Sequence, residues 1–183
     1  GYLFPETYSF NPGTKEEDLL KMMVRQFQKQ ITPELLQKAK NLQLDLHQLV
    51  TLASIIEKET GAAFERPIIS SVFHNRLKKK MRLESDPTVI YGIKNFDGNL
   101  KRIHLETPTP YNTYKNVGLP PGPINFPETT SIDAVLDYEE HKYLFMCAKE
   151  DFSGYHNFAR TLSQHNKNAR SYQNALNRRK IFN

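Results

Sequence analysis

Cysteine is almost absent: Cys147 stands alone among 183 residues. A single thiol excludes an internal disulfide and any zinc site built from several cysteines. Cys147 lies in the apolar run Tyr143-Leu144-Phe145-Met146-Cys147-Ala148. It reads as a nucleophile or, from those neighbours, as a small buried hydrophobe. That run has the length of a buried strand, and nothing approaches the uninterrupted apolar stretch of a membrane-spanning helix. No targeting segment is visible. The chain opens at Gly1 inside what reads as a structured motif, so we read it as an excised piece whose location is not encoded here. Internal repeats, low-complexity segments and nucleic-acid fingerprints are missing as well.

What is present suits one domain around one core, with 38% hydrophobic and 25% charged residues. The net charge of +5 favours an anionic partner by long-range attraction. Nucleic acid, anionic lipid and the carboxylate-rich cell wall all qualify on charge. The basic residues are scattered except for Lys78-Lys79-Lys80 and Arg178-Arg179-Lys180, which read as solvated helix ends.

Thr14 and Glu17 have the spacing of a capping box ahead of a helix carrying Leu19, Leu20, Met23 and Phe27. Thr32-Pro33-Glu34 opens a second helix. Asp45 caps a third that runs to about Thr60, and Pro67 starts a fourth. Residues 82–130 are then rich in proline, glycine, asparagine and tyrosine. Within them Thr88-Val89-Ile90-Tyr91 reads as a short strand and Phe96-Asp97-Gly98-Asn99 as a turn. Tyr111–Tyr114 and Gly118–Ile124 read as rigid loops. Ser131 caps a short helix. Residues 143–148 and 155–160 form a hairpin about the turn Asp151–Gly154, and a last helix runs from about Asn166 toward Arg179. The class is α+β: helices first, then a small antiparallel sheet with long ordered loops.

The strongest chemical signal is Ala53-Ser54-Ile55-Ile56-Glu57-Lys58-Glu59-Thr60. An apolar helix delivers two carboxylates at its C-terminal end, where the backbone already carries partial negative charge. That setting and the apolar stripe raise a carboxyl pKa, as a general acid for glycoside cleavage requires. Glu57 and Glu59 flank the stripe on opposite sides, so helical geometry alone does not choose between them. Both also read as exposed helix-end acids pairing with Lys58 or Arg66.

Several long motifs in order carry a resemblance over nearly the whole chain. They are Gly1-Tyr2-Leu3-Phe4-Pro5-Glu6-Thr7, Ala53–Thr60, Glu65-Arg66, Ser71–Leu77, Met81–Gly92, Thr107–Tyr114, Gly118–Ile124, His156-Asn157-Phe158 and His165-Asn166. In these the sequence resembles the YceG-like (MltG) family of endolytic murein transglycosylases, departing at His74, Glu84 and Asn125.

The resemblance implies that residues 1–183 are a catalytic domain with a lysozyme-like catalytic helix. It also implies an upstream single membrane anchor and LysM-like subdomain, and an extracytoplasmic (periplasmic) position on the inner membrane. The implied substrate is the glycan strand of peptidoglycan, with the cell-wall synthesis machinery as a further partner and no cofactor. It maps the catalytic glutamate to Glu59, which Thr60 follows, with Glu57 and Arg66 in support. The implied reaction leaves 1,6-anhydro ends. Hydrolysis with Asp86 or Glu106 as second carboxylate, and a non-catalytic wall-binding scaffold, stay open as alternatives.

Other candidates carry two readings each. Asp86 caps a turn or steadies sugar hydroxyls. Arg66 pairs with Glu57 or Glu59 or touches substrate. Asn75 and Arg76 face a cleft or bond at the core edge. Tyr111, Asn112 and Tyr114 form a polar-aromatic loop suited to sugar faces and hydroxyls, or are structural. His156 and His165 are too separated to argue a metal site and read as substrate contacts or their supports.

Overall fold

Asp45 opens the helix around which everything else is built. Its carboxylate accepts from the Gln48 backbone N–H at 2.7 Å, and Gln48 returns a side-chain acceptor to the Asp45 N–H at 3.0 Å. This reciprocal cap starts Leu46–Glu59. From Leu49 to Ile56 every residue of that helix is buried. A helix apolar all round belongs at the centre of a domain. Its polar members satisfy themselves: Thr51 donates to His47 O, and Ser54 donates to Thr51 O while accepting from Ile124 N. Leu52→Ala in this setting would cost roughly 2–5 kcal/mol.

A computed structural model describes residues 1–179. Lys180, part of the second basic run, lies outside them. In chain order the helices are α1 (Glu16–Gln30), α2 (Pro33–Asn41), α3 (Leu46–Glu59), α4 (Arg66–Lys78), α5 (Asp86–Gly92), α6 (Arg102–Glu106), α7 (Thr129–Leu136) and α8 (Leu162–Arg178). A 3-10 turn, Ala63–Glu65, joins α3 to α4. Strands β1 (Phe145–Ala148) and β2 (His156–Ala159) pair antiparallel, with Cys147 opposite Asn157. The class is α+β. Leu49, Leu52, Ile55 and Ile56 of α3 pack with Ile69 and Phe73 of α4 and with Ile132 and Val135 of α7. α8 lies across the hairpin.

Five local readings change. Thr14 does not cap α1: its hydroxyl donates to Asn11 O, and Lys15 occupies the cap position without a side-chain bond. Thr88–Tyr91 is helical, not extended. Its β-branched residues favour a strand, but Asp86-Pro87 supplies a helical first turn, and Thr88 and Val89 are buried within α5. The short α6 has no counterpart among the expected elements. Ser131 lies inside α7, which begins after Glu128. α8 begins earlier than expected, capped by Thr161, which accepts from Gln164 N at 3.2 Å.

The proline-rich loops are ordered by side-chain amides. Asn112, fully buried, donates to Leu105 O and Thr107 O and accepts from Tyr114 N. Asn116 donates to Thr109 O and Asn112 O. The Gly118–Ile124 segment is tied back through His47, whose Nε2 lies 2.7 Å from Pro121 O.

Candidate active site

α3 ends at Glu59 because Thr60 turns the chain into an extended conformation. The Thr60 hydroxyl, buried, accepts from Ala62 N at 3.0 Å and reaches Glu65 Oε2 at 3.4 Å. Two glutamates thereby leave the same helix end in different directions.

Glu57 points toward α7. Its carboxylate accepts from Asn125 Nδ2 at 2.6 Å, Glu128 N at 2.7 Å and Ser131 Oγ at 2.8 Å. Three donors converge on this carboxylate and join the end of α3 to the start of α7. Arg66 does not pair with either helix-end glutamate. Its Nη1 donates to Thr130 Oγ1 at 2.6 Å and meets Glu128 Oε2 at 3.2 Å.

Glu59 points into a cleft of about 720 Å³. Val72, Phe73 and Arg76 of α4 form its back, and Leu83, Glu84, Asp86, Pro87 and Ile90 form one side. Tyr114 adds to that side, and β1, His156 and α8 with His165 and Tyr172 close the other. Among the described residues a single hydrogen bond reaches the Glu59 carboxyl, donated by the Ser85 hydroxyl to Oε1. Burial pushes the Glu59 pKa up to about 7; the Ser85 bond pulls against it, Asp86 adds to the rise, and Arg76 opposes it. Near neutral pH this carboxyl has a proton to give and is ready to take one back.

Asp86 and Tyr114 share the cleft and bond each other, Tyr114 donating to Asp86 Oδ1 at 2.6 Å. Burial, then the Asp86 bond, raises the phenol pKa, so Tyr114 stays a neutral donor. Arg76 lines the cleft with its guanidinium already committed. Nε donates to Leu144 O at 2.6 Å, and Nη1 to Arg82 O, Leu83 O and Glu84 Oε2. It also lies 5.4 Å over the Phe145 ring. One side chain thus binds α4, the 82–84 segment and β1 together. His156 faces the cleft with its ring fixed from behind, Nδ1 lying 3.0 Å from Glu65 Oε2 and its backbone N–H donating to Glu65 Oε1.

Like Glu57, Thr60 and Arg66, three further expected candidates lie outside the cleft lining. Asn75 donates to His141 O and Tyr143 O, securing the approach to β1. Tyr111 packs against Tyr91, with ring centroids 4.7 Å apart, and against the core. Asn112 is the buried loop staple described above. Cys147 is half-buried on the cleft wall rather than sealed in the core, and burial raises its thiol pKa, which keeps it a poor nucleophile.

Ser85 and Glu65 touch the site and were not expected there. Ser85 stands next to Asp86 in the Met81–Gly92 motif, but nothing in its spacing announces contact with α3. The positions where the motifs depart have work of their own. His74 bonds Val135 O, Glu84 pairs with Arg76 at 3.0 Å, and Asn125 donates to Glu57.

With this geometry in view, a family model described as the YceG-like family matches residues 1–171. The chain belongs to the YceG-like family. It is similar to an endolytic murein transglycosylase of Bacillus subtilis (strain 168), 42% identical over 178 residues, which are 97% of this chain and 49% of that protein. An endolytic murein transglycosylase of Streptococcus pneumoniae serotype 2 (strain D39) is 32% identical over 180 residues, 96% of this chain and 32% of that protein. A 2.6 Å crystal structure of a yceG-like protein from Listeria monocytogenes superposes with a TM-score of 0.84 at 39% identity, covering 91% of this chain and 54% of that one. This YceG-like chain therefore spans about half the length, or less, of the curated relatives it matches.

Proposed function

We propose that this chain is the catalytic domain of an endolytic murein transglycosylase and that Glu59 acts first as its acid and then as its base. The observation that carries the reading is a carboxyl at the floor of an open cleft, half-buried, with one hydrogen bond and a pKa of about 7. The relatives' names support the reaction class and the substrate.

In this reading neutral Glu59 protonates the glycosidic oxygen between N-acetylmuramic acid and N-acetylglucosamine. The C1–O bond breaks and positive charge develops at the muramic C1. Glu59, now a carboxylate, removes the proton of that sugar's C6 hydroxyl, whose oxygen closes on C1. A 1,6-anhydro ring forms, no water is consumed, and Glu59 ends protonated as it began. The Tyr114–Asp86 pair and His156 are positioned to bind sugar hydroxyls or amides along the strand. Arg76 shapes the walls.

Digestion of intact sacculi by the protein and by Glu59→Gln, with mass analysis of the products, tests this. Anhydro ends from the first and none from the second are expected. Asp86 lies in the same cleft and keeps hydrolysis as a second reading. Reducing ends would establish that reading and overturn the first. Glu106 lies on α6, paired with Arg102 at 3.5 Å, outside the cleft lining.

An extracytoplasmic position, a membrane anchor and contact with the cell-wall synthesis machinery belong to the same proposal. Among the described residues no helix is long and apolar enough to cross a membrane. Cell fractionation with the full-length protein is expected to recover it with membranes; recovery in the cytosol would overturn this part.

A further inference from the structure

We propose that Ser85 is a positioning residue that decides which oxygen of Glu59 carries the acid proton. The inference rests on the reading of Glu59 as acid and base.

The Ser85 hydroxyl donates to Glu59 Oε1. In a neutral carboxyl the carbonyl oxygen is the better acceptor, so a hydroxyl donating to Oε1 favours the proton on the other oxygen. This bond makes Oε2 the favoured donating atom.

The position of the Ser85 hydroxyl is set by a closed ring of hydrogen bonds that holds its backbone from behind. Ser85 N donates to Thr113 Oγ1 at 3.0 Å. Thr88 Oγ1 donates to Ser85 O at 2.7 Å. Thr88 and Thr113 hydroxyls lie 2.8 Å apart. Each hydroxyl has one hydrogen. Thr88 has spent its own on Ser85 O, so Thr113 is the donor between them. The ring runs from Ser85 N to Thr113, to Thr88, and back to Ser85 O, and every member is buried: Ser85 1% exposed, Thr88 0% and Thr113 1%. The peptide groups of Ser85 are satisfied within the protein, and its side chain has Glu59 as its partner.

The chain reaches this arrangement through Glu84, whose φ of +53° is unfavourable for a residue with a side chain. Arg76 holds the Glu84 carboxylate, and Thr113 O accepts the Glu84 N–H at 3.2 Å. A strained residue clamped on both sides is what turns Ser85 toward α3.

Ser85 serves both halves of the cycle. While Glu59 is neutral it directs the proton to Oε2. Once the proton has gone, the same bond becomes charge-assisted and stabilises the carboxylate that must next act as a base. This opposes the effect of burial, in keeping with the downward pull of Ser85 on the Glu59 pKa.

The test is a titration that does not need turnover. Carbon-13 NMR of glutamate side chains follows Glu59, its resonance identified by its absence in Glu59→Gln. In Ser85→Ala the midpoint should rise by about one pH unit, the size expected for losing one hydrogen bond to a charged group. The basic limb of the cleavage profile should move with it, and kcat should fall about ten-fold with KM little changed. Ser85→Cys is nearly isosteric and a weak donor, so it should keep the fold and give a smaller rise. A midpoint that stays put or falls in these variants overturns the proposal. If the unchanged protein cleaves nothing, the enzymatic reading fails, and the titration still reports on Ser85.

Discussion

Glu57 and Glu59 leave one helix end two positions apart and meet opposite surroundings. On the α7 side, three donors converge on the Glu57 carboxylate. On the cleft side, one hydroxyl reaches Glu59. The supply of donors sorts them. A carboxylate on which several N–H and O–H groups converge becomes a fastener. A half-buried carboxyl reached by one donor holds its proton closer to neutral pH, as a general acid must. Residue type and helix are shared, so neither composition nor propensity separates the two.

This contrast can be broken most directly by Glu59→Gln. Cleavage of glycan strands should fall about 10²–10⁴-fold, the range for losing a general acid and base, with the circular dichroism spectrum unchanged. Retained cleavage would remove the distinction between the two glutamates. Glu57→Gln should behave oppositely. It leaves an amide where three donors converge, so stability should drop by about 1–3 kcal/mol in thermal melts while cleavage below the transition persists. A stable but inactive Glu57→Gln would reverse the assignment.

Arg76→Lys comes next. An ammonium cannot serve Leu144 O, Arg82 O, Leu83 O and Glu84 together, so a loss of about 1–3 kcal/mol is expected, read by denaturant titration. Unchanged stability would show that the three walls hold without it.

The pH dependence gives a subtler measure. The folded Glu59 pKa stands near 7, above its ordinary value of 4.5, so the folded state holds an extra proton between those values. Stability from this group is complete below pH 4.5 and declines as pH rises toward 7. Glu59→Gln should therefore melt higher than the unchanged protein at pH 8, with the gap closing toward pH 5. A gap of constant size would mean that Glu59 is ionised throughout. The smallest effect is expected from Tyr114→Phe, which removes one hydrogen bond to Asp86 and should lower cleavage about ten-fold or less. No change would take the pair out of the working site.

Much of the scaffold could be read from local pattern. Asp45, Thr32 with Pro33, Pro67, and the hairpin turn at Asp151–Gly154 each act within a few residues of themselves, and each does in the fold what its neighbours suggested. Thr88–Tyr91 misled because β-branched composition was weighed above the Asp86-Pro87 start. The site was harder, because its deciding partners are distant. Asn125, Glu128 and Ser131 reach Glu57 across the sequence, and Ser85 reaches Glu59. The apolar stripe placed both glutamates on its flanks but could not show what either flank would meet. Asn75 and Asn112 misled for a related reason: an amide near a cleft and an amide that staples a loop have the same spelling.

The stretch between interior and cleft is very short. Ile56 is fully buried, and Glu59 follows it within one helical turn. No loop intervenes between the packed centre of the molecule and the Glu59 carboxyl. Turnover should therefore act as a gauge of the interior. Warming, or trimming a methyl group from Ile55 or Leu52, should dull cleavage before any spectroscopic sign of unfolding, and temperature-sensitive alleles should cluster along α3 rather than around the rim.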